Sequence, residues 1–449
     1  DDPQKQGNDI HGIRVRGTLA DIPRLIVDMD IDIVLIAMSE ASRAVLDSVV
    51  SMSAEAGATC RIVPSISELA DGRVTVSRLR SVTVEDLLGR DPICLDEASI
   101  LGYLEGHVVL VTGGGGSIGS ELSRQIALHS PELLLIIDHS EFNLYRIERE
   151  LRQDFPGLKM HFLLGDVTNE RAVRRVFGEY GPSVVFHAAA YKHVPMLEGN
   201  IAEGIRNNVF GTRIVAETAV EFGSERFVLV STDKTVNPAN VMGATKRVAE
   251  IICQNLGRRT ATQFITTRFG NVLGSAGSVV PLFEAQIAAG GPVTVTHPDV
   301  TRYFMTISEA TSLILQAGAM GQGGEIYVMD MGKPVSIRVL AEKLIQLSGL
   351  KPYRDIELEF TGLRPGEKLH EELFYSGEEL LSTPHPKLLL ADSFVVDLGW
   401  LRARLDELRA AVEAYDIEGA LACLRVLIPE FSQRQGQSTH AKPNLRSVN

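Results

Sequence analysis

The sequence has few cysteines and no cysteine spacing that suggests a metal site. Its four cysteines, Cys60, Cys94, Cys253 and Cys423, stand far apart in a chain of 449 residues. Structural zinc sites need ligands at close and regular spacing. We therefore expect isolated thiols in a reducing compartment and no bound metal.

Basic residues are also in the minority. The chain has 44 Lys and Arg against 57 Asp and Glu, which gives a formal net charge of -13. Because nucleic-acid binding depends on clustered positive charge, this balance argues against a general nucleic-acid binder. An anionic ligand would have to meet a local cluster of positive groups.

Long apolar runs are absent as well. No stretch approaches the roughly 20 apolar residues that cross a bilayer, and no signal peptide precedes the first predicted strand. The chain begins at Asp1 without an initiator Met, in polar sequence that is typical of the middle of a domain. We expect a soluble chain from which an upstream part is missing.

What the sequence does contain is an alternation of apolar strands and amphipathic helices over more than one domain. Residues 1–80 predict a partial α/β domain without a glycine-rich turn, with a structural or partner-binding role. Residues 81–103 predict a linker, and residues 104–431 predict a catalytic domain. The polar stretch 432–449 predicts a disordered tail.

The catalytic segment predicts a doubly wound parallel sheet. The apolar strands HVVLV, ELLLIID, MHFLLGD, VVFHAAA and RFVLVS alternate with helical segments. Strands of this kind are typical of parallel sheets that helices cover on both faces. Beyond about Pro281 the pattern is less regular and predicts a smaller substrate-binding cap over the carboxyl edge of the sheet, where ligands bind in such folds.

A glycine-rich turn, TGGGGSIGS, begins at Thr112, directly after a strand and directly before a helix. Gly113 and Gly116 would let backbone amides approach a pyrophosphate, and Gly119 would let the helix pack closely on the strand. Such a turn is weak evidence when it stands alone.

Two acidic residues at strand ends strengthen the hypothesis of a Rossmann-like dinucleotide site. Asp138 stands where a carboxylate accepts from a ribose 2′-hydroxyl and repels a 2′-phosphate, which favours NAD over NADP. Asp166 would reach the adenine edge, and small residues would let the chain run beneath the cofactor. The predicted cofactor-binding residues are Thr112, Gly113, Gly116, Ser117, Ile118, Gly119, Asp138, Asp166, Val167, Ala188, Ala189, Ala190 and Lys246.

The segment TDKTVNPANVMGATK carries the candidate catalytic residues. In short-chain dehydrogenases a Tyr stands four residues before a Lys, but here Met242 stands four residues before Lys246. A thioether cannot transfer a proton, so Tyr-based alcohol oxidation is excluded. The adjacent Asp233 and Lys234 would supply the acid and the base for elimination of water, provided that burial or a nearby charge such as Lys246 lowers the pKa of Lys234. A salt-bridged pair without a catalytic role is the alternative.

Eight segments, in the same order, resemble the CapD-like polysaccharide biosynthesis proteins, which are large membrane-anchored UDP-N-acetylglucosamine 4,6-dehydratases of the extended short-chain dehydrogenase/reductase family. Met242 fits this resemblance, since the large members lack the Tyr. The resemblance implies that residues 1–80 are part of a nucleotide-binding-like domain and that helices which precede residue 1 anchor the native protein at the cytoplasmic side of the inner membrane. Folds of this kind commonly dimerise, so we expect a homo-oligomer, although the sequence leaves the oligomeric state open. The segments are VEDLLGRDP, TGGGGSIGSE, DHSEFNLY, HAAAYKHVPMLE, STDKTVNPANVMGATK, FGNVLGSAGSVVPLF, RYFMTISEA and LRPGEKLHEEL.

The resemblance also implies a role for each site residue. Thr232, with Lys246 nearby, would assist loss of the proton from the carbon 4 hydroxyl while hydride passes to a retained NAD. Lys234 would remove the proton at carbon 5, and Asp233 would protonate the hydroxyl that leaves carbon 6. The candidate residues for the UDP-N-acetylhexosamine substrate are Lys192, His193, Asn208, Asn271, Arg302, Arg364 and Glu367.

Two other functions stay open. A nucleotide-sugar 4-epimerase shares the fold, NAD and a UDP-sugar, but it needs no elimination acid and base and ordinarily keeps the Tyr. A non-catalytic nucleotide-sugar-binding scaffold would have no reason to retain Asp233, Lys234 and Lys246 together. The sequence leaves open the exact sugar, the stereochemistry at carbon 5 and the pathway, which is capsule, O-antigen or protein glycan synthesis.

Overall fold

The computed structural model describes residues 3–38, 42–63, 80–83, 86, 93–375, 378, 380–391 and 396–432. The predicted tail from residue 433 onward, and most of the predicted linker before Ile93, lie outside these residues. By its internal contacts the chain divides into two compact units. The smaller unit is Asp1–Pro92, Gly277–Thr301 and Val335–Gly362, and the larger unit is Ile93–Ala276, Arg302–Pro334 and Leu363–Asn449.

The regular elements are numbered here along the chain. The strands are β1 Asp9–Ile10, β2 Ile13–Arg14, β3 Ile33–Ile36, β4 Thr59–Ile62, β5 Arg80–Ser81, β6 Val108–Thr112, β7 Leu133–Asp138, β8 Met160–Leu164, β9 Val184–His187, β10 Arg226–Val230, β11 Gln263–Arg268, β12 Asn271–Val272, β13 Val293–Val295, β14 Thr301–Arg302, β15 Phe304–Met305, β16 Glu325–Met329, β17 Val335–Ser336, β18 Leu358–Phe360, β19 Leu381–Ser382 and β20 Leu388–Ala391. The α-helices are α1 Ile22–Met29, α2 Arg43–Ala56, α3 Glu97–Leu104, α4 Ser117–Leu128, α5 Glu141–Asp154, α6 Glu170–Tyr180, α7 Val194–Glu198, α8 Ile201–Ile205, α9 Thr212–Glu221, α10 Val241–Gly257, α11 Val279–Ala288, α12 Ile307–Met320, α13 Ile337–Leu347, α14 Leu398–Glu413 and α15 Ile417–Leu427.

The larger unit is built on one sheet with the strand order β8-β7-β6-β9-β10-β11-β16-β20-β19. Neighbouring strands from β8 to β16 run parallel, and β20 and β19 continue the sheet in antiparallel pairing. This architecture confirms the predicted doubly wound parallel sheet. The predicted strands HVVLV, ELLLIID, MHFLLGD, VVFHAAA and RFVLVS correspond to β6, β7, β8, β9 and β10.

Strand β6 shows why these residues form a central strand. Val109, Leu110 and Val111 are all fully buried, and successive side chains of a strand point to opposite faces of the sheet. Val109 and Val111 belong to the hydrophobic cluster that includes α4 and α12, whereas Leu110 belongs to the cluster that includes α6 and α9. Both faces therefore carry a core, which is why the strand is continuously apolar.

The order of strands reverses between β6 and β9. From β6 the chain proceeds outward to β7 and β8 and then returns to β9 on the other side, where Thr112 pairs in register with His187. In open α/β sheets the crevice at such a reversal, outside the carboxyl ends of the strands, is where ligands bind. The glycine-rich turn follows β6 and therefore lies at this crevice.

Helix α3 occupies the last part of the segment predicted as a linker. Ile100, Tyr103 and Leu104 are buried, and the Tyr103 hydroxyl donates to the Leu315 carbonyl at 2.8 Å. The Asp96 side chain caps the helix by accepting from the Ser99 amide. This part of the segment is thus a packed helix rather than a linker, and its apolar residues have the helical spacing i, i+3 and i+4.

In the smaller unit, β3 and β4 pair in parallel and β5 is antiparallel to β4. Its core includes Ile36, Val49 and Val50 from β3 and α2. Leu347 of α13 packs against this core, so residues of the predicted cap and of the predicted N-terminal domain share one unit. Among the helices in the described ranges, none has the length and apolar composition to cross a membrane.

Candidate active site

The glycine-rich turn connects β6 to α4 with two close backbone approaches. Gly113 has a positive φ of 67°, and a Cβ there would lie 2.7 Å from the Ala189 backbone. A Cβ on Gly119 would lie 2.1 Å from the Gly113 carbonyl oxygen. Any side chain at either position would displace backbone, so the turn can hold its form only with glycine. Gly119 has the packing role that the sequence predicts, whereas the role of Gly113 toward a pyrophosphate stays a prediction.

Asp138, the last residue of β7, holds the turn from the side. Its Oδ2 accepts from the Gly115 amide at 2.9 Å, and its Oδ1 accepts from the Ser140 amide at 2.8 Å. A carboxylate has about four acceptor positions, so Asp138 retains capacity for a ligand hydroxyl.

A pocket opens at the carboxyl ends of β6, β7, β8 and β9. It brings together the predicted cofactor residues Gly113, Gly116, Asp138, Asp166, Val167, Ala188, Ala189 and Ala190. Other residues that the sequence does not single out also line it, namely Ile137, His139, Asn143, Gly165, Tyr191 and Asn207.

The predicted cofactor residue Thr112 points elsewhere. Its hydroxyl bonds His187 Nδ1 at 2.8 Å, and His187 Nε2 bonds the Thr212 hydroxyl at 3.0 Å. Because Thr212 donates its own proton to the Asn208 carbonyl, His187 Nε2 is the donor and Nδ1 accepts from Thr112. Burial, with a smaller effect of Lys246, lowers the pKa of His187 to about 3, so the ring is neutral. Thr112 therefore anchors a structural histidine.

The other predicted cofactor residues do not line the pocket. Ser117 begins α4, and its hydroxyl accepts from the Ala276 amide at 3.1 Å. Ile118 packs against the core cluster beneath the turn, and Gly119 makes the close approach described above. Lys246 lies on α10, apart from the pocket lining.

The predicted acid–base residues come together directly after β10. The Thr232 hydroxyl donates to Asp233 Oδ1 at 2.9 Å, and Lys234 Nζ donates to the same oxygen at 3.0 Å and to Asn271 Oδ1 at 2.9 Å. The Asp233 side chain is fully buried and that of Lys234 is 16% exposed. The predicted substrate residue Asn271 thus contacts the lysine of the predicted pair.

The pKa of Lys234 differs from the expectation that burial or a nearby cation lowers it. Burial does lower the pKa, but the negative charges of Asp233 and Glu371 outweigh it, and the net pKa is raised. Arg302 is the cation that opposes them. The expectation was wrong because the two carboxylates, of which Asp233 is at hydrogen-bond distance, outweigh burial and Arg302 together. Asp233 and Lys234 form a buried ion pair.

Helix α10 places Met242 and Lys246 in the interior. Met242 is 3% exposed, and burial lowers the pKa of Lys246 to about 8 against the opposing charge of Glu250. The helix begins at a double cap, in which Asn240 Oδ1 accepts from the Gly243 amide and Glu198 Oε1 accepts from the Val241 amide. A Cβ on Gly243 would lie 2.1 Å from the Lys234 carbonyl oxygen, so glycine there lets the helix pack directly on the acid–base segment.

A buried ion cluster supports the same segment from below. Glu250 accepts from the Ser231 hydroxyl at 2.7 Å, from Arg268 at 2.8 and 2.7 Å, and from Arg247 at 3.0 Å. Burial raises the pKa of Glu250, but the two guanidinium groups and the hydroxyl outweigh it and lower the pKa to about 2. The cluster fixes Ser231, the residue before Thr232. The sequence carries no signal for it, since its members come from α10, from β11 and from the residue after β10.

The predicted substrate residues divide into two groups. Arg302 meets Glu367 Oε1 at 3.1 Å and donates to the Leu369 carbonyl at 3.2 Å. Glu371, which the sequence does not single out, also lies close to Arg302, with 3.8 Å between its Oε1 and Arg302 Nε. Arg364 is exposed, and its backbone amide donates to Glu367 Oε2 at 3.2 Å.

The remaining candidates lie near β9. Asn208 is in a π-helical stretch, Arg206–Gly211, a local form that often marks functional sites. Its side chain donates to the Tyr191 carbonyl and to the Thr245 hydroxyl and accepts from the Tyr191 amide. Asn208 thus ties the loop after β9 to α10. Lys192 and His193 are exposed on that loop.

Residues 109–393 match the family of polysaccharide biosynthesis proteins. The chain belongs to this family. It is 49% identical over 382 residues to the capsular polysaccharide biosynthesis protein CapD of Staphylococcus aureus, with 84% of this chain and 63% of that protein covered. This chain therefore spans less than two thirds of the length of CapD. It is also 36% identical over 277 residues to a UDP-glucose 4-epimerase of Rickettsia canadensis, with 60% of this chain and 77% of that protein covered.

Solved structures share the fold of this polysaccharide biosynthesis protein. The structure of Pen from Bacillus thuringiensis is 32% identical, with a TM-score of 0.60, and covers 66% of this chain and 89% of that one. The dTDP-glucose 4,6-dehydratase DesIV of Streptomyces venezuelae, solved with NAD and TYD bound, is 23% identical, with a TM-score of 0.52, and covers 59% of this chain and 88% of that one. The family prediction and the fold prediction are both confirmed.

Proposed function

We propose that the chain catalyses the NAD-dependent 4,6-dehydration of a UDP-N-acetylhexosamine, with UDP-N-acetylglucosamine as the first substrate to test, and forms the UDP-4-keto-6-deoxy sugar for surface polysaccharide synthesis. The observation that carries this proposal is the buried contact of 3.0 Å between Lys234 Nζ and Asp233 Oδ1 at the carboxyl end of β10. Met242 supports it, because the site lacks the Tyr of an ordinary alcohol dehydrogenase.

The pocket beside the glycine-rich turn fits a dinucleotide. Gly113 and Gly116 would expose backbone to the pyrophosphate at the start of α4, where the helix dipole favours negative charge. The spare acceptor positions of Asp138 suit a free ribose hydroxyl and would repel a phosphate there, so we propose NAD rather than NADP. NAD, when bound, supplies the acceptor for hydride from carbon 4 and returns that hydride to carbon 6.

The protons that Asp233 and Lys234 carry are those that an elimination of water needs. Removal of the carbon 5 proton needs neutral Lys234, and departure of the carbon 6 hydroxyl needs protonated Asp233. Both conditions arise when one proton moves from Lys234 Nζ to Asp233 Oδ1 along their hydrogen bond. Lys234 then takes the carbon 5 proton, Asp233 gives its proton to the leaving hydroxyl, and water departs. Lys234 would return its proton to carbon 5 when hydride adds to carbon 6, and the proton taken earlier from the carbon 4 hydroxyl would then restore the ion pair.

Thr232 and Lys246 are proposed to act in the first step. Lys246 has a pKa of about 8, so it accepts and releases a proton near neutral pH. The Thr232 hydroxyl stands one residue before Asp233 and is hydrogen-bonded to it. Together they would remove the proton from the carbon 4 hydroxyl. For the diphosphate we propose Arg302 and Arg364, because guanidinium groups pair bidentately with phosphate oxygens.

The 4-epimerase is the second candidate, favoured by the identity to the Rickettsia protein. One experiment separates the two reactions. Purified chain is incubated with UDP-N-acetylglucosamine without added NAD, and the product is followed by mass spectrometry. A dehydratase with retained NAD gives a product lighter by one water, whereas an epimerase gives an isomer of unchanged mass.

The acid–base assignment is tested in the same assay. We expect Lys234→Ala and Asp233→Asn each to lower the rate at least about a hundredfold, the low end of what one acid or base contributes. Lys159→Ala, at an exposed lysine, serves as the control. Variants that keep the full rate would contradict the assignment. No turnover even with NAD supplied would point to the scaffold or to another sugar nucleotide. Membrane anchoring and the homo-oligomer stay predictions.

A further inference from the structure

A second buried carboxylate, Glu371, lies in a segment that packs on the residues directly after Lys234. On one side of it Lys368 Nζ donates to the Val236 carbonyl, and on the other the Tyr375 hydroxyl donates to the Thr235 carbonyl, both at 2.9 Å. The Glu371 side chain is 3% exposed, and its Oε2 has no hydrogen-bond partner within the described ranges. Leaving a buried carboxylate oxygen without a partner is unfavourable, so such an atom in a folded protein needs an explanation. Asp233 Oδ2 is in the same condition.

Pairing with Arg302 does not account for Glu371. Its Oε1 is 3.8 Å from Arg302 Nε, whereas Arg302 has closer contacts with Glu367 at 3.1 Å and with the Leu369 carbonyl at 3.2 Å. A pair at that distance lacks a hydrogen bond. A purely structural ion pair would bury this carboxylate for little gain.

The charges that face Glu371 connect it to the proton chemistry. Its pKa is raised by burial and by Asp233, against the opposing effects of Lys234, Arg302 and Lys368. In return, the negative charges of Asp233 and Glu371 raise the pKa of Lys234. A negative charge close to two groups that share a proton makes that proton harder to lose to solvent. This holds whether Lys234 or Asp233 carries the proton.

We propose that Glu371 is a positioning residue that keeps the proton shared by Asp233 and Lys234 inside the site, so that the pair has both an acid and a base in each turnover. This inference rests on the proposed dehydratase function. Without Glu371, the shared proton is lost to solvent at a lower pH. The pair is then two bases without an acid, and the hydroxyl at carbon 6 cannot leave.

The test compares adjacent glutamates. Glu371→Gln removes the buried charge, and Glu371→Met is a second neutral variant should the first not fold. Glu371→Asp keeps the charge. Glu372→Gln is the matched control, because Glu372 is 47% exposed and pairs with Lys368 at 2.9 Å.

The first readout is the pH profile of dehydration. We expect the alkaline limb to move to lower pH by about one unit or more in the neutral variants, the effect of a close charge. It should return toward its original position in Glu371→Asp and stay unchanged in Glu372→Gln. A rate lowered equally at every pH would indicate a structural role and overturn the proposal.

The second readout needs no turnover. The protein is labelled with trace acetic anhydride across a pH series, and acetylation of Lys234 is measured by mass spectrometry of its peptide. The neutral variants should show a midpoint at lower pH by a similar amount, and an unchanged midpoint would overturn the inference about Glu371. If the unaltered chain releases no water from the UDP-sugar, the proposed function fails, and the midpoint still decides the role of Glu371.

Discussion

At the scale of single residues, Asp138 combines two tasks. It holds the Gly115 amide at 2.9 Å and faces the proposed ribose position. We expect Asp138→Ser to weaken NAD binding and to reduce the preference for NAD over NADP about tenfold or more, because repulsion of the 2′-phosphate is lost. Calorimetric titration of both dinucleotides measures the change. Asp154→Ser, at an exposed aspartate, should leave both affinities unaltered, and a preference kept in Asp138→Ser would contradict this assignment.

The candidate site residues whose position in the fold the sequence predicts are those with local signals. Gly113, Asp138 and the pair Asp233 and Lys234 stand at strand ends that apolar runs identify. Glu371 carries no such signal, because its burial arises from contacts with residues far away in the chain. For the same reason the sequence could not reveal that carboxylates raise the pKa of Lys234. A pKa depends on distances between side chains, which spacing along the chain does not supply.

At the scale of elements, the turn from β6 to α4 depends on close packing of backbone. A Cβ on Gly119 would lie 2.1 Å from the Gly113 carbonyl oxygen, which is backbone and cannot rotate away. Gly119→Ala should therefore displace the turn and weaken NAD binding at least about tenfold, equivalent to about 1.4 kcal/mol. Gly178→Ala is the control, because a Cβ there would make an ordinary contact of 3.4 Å with the Phe222 ring. Equal NAD affinity in both variants would refute the packing argument.

The ion cluster between β11 and α10 gives a second test at this scale. Glu250→Gln leaves Arg268 and Arg247 buried with less compensation, so we expect a loss of about 3–5 kcal/mol in the free energy of unfolding at neutral pH. The pKa of Glu250 is lowered from 4.5 to about 2. Its ionised form therefore stabilises the fold above 4.5, and this contribution is lost as the pH falls toward 2.

Urea denaturation across that pH interval measures the effect. The difference between Glu250→Gln and the unaltered chain should shrink as the pH falls from 4.5 to about 2. Glu132→Gln, at an exposed glutamate, should stay within about 0.5 kcal/mol of the unaltered chain. If the difference in the free energy of unfolding did not change with pH, the variant would be less stable because the amide does not fit sterically, and not because a charge is lost.

At the scale of the whole molecule, the regular alternation of strands and helices made the sheet predictable from the sequence. The division into two units could not be predicted in this way. The runs from β6 to β10 are continuous in sequence and in structure. The smaller unit instead joins Asp1–Pro92 with Gly277–Thr301 and Val335–Gly362, three segments that are separate in the chain. Periodicity describes a segment by itself, whereas grouping depends on long-range packing such as that of Leu347 against the core of β3 and α2.

The two units lead to a prediction about ligand binding. The residues that line the pocket beside the glycine-rich turn all belong to the larger unit. A ligand that binds only the folded form stabilises it by about 2.7 kcal/mol at a concentration of 100 times Kd. In hydrogen exchange of chain freed of dinucleotide, added NAD should therefore slow exchange in β6 and β7 and leave β3 and β4 unchanged. Equal protection of both pairs of strands would show that the units unfold together, and no protection in β6 and β7 would contradict NAD binding at this turn.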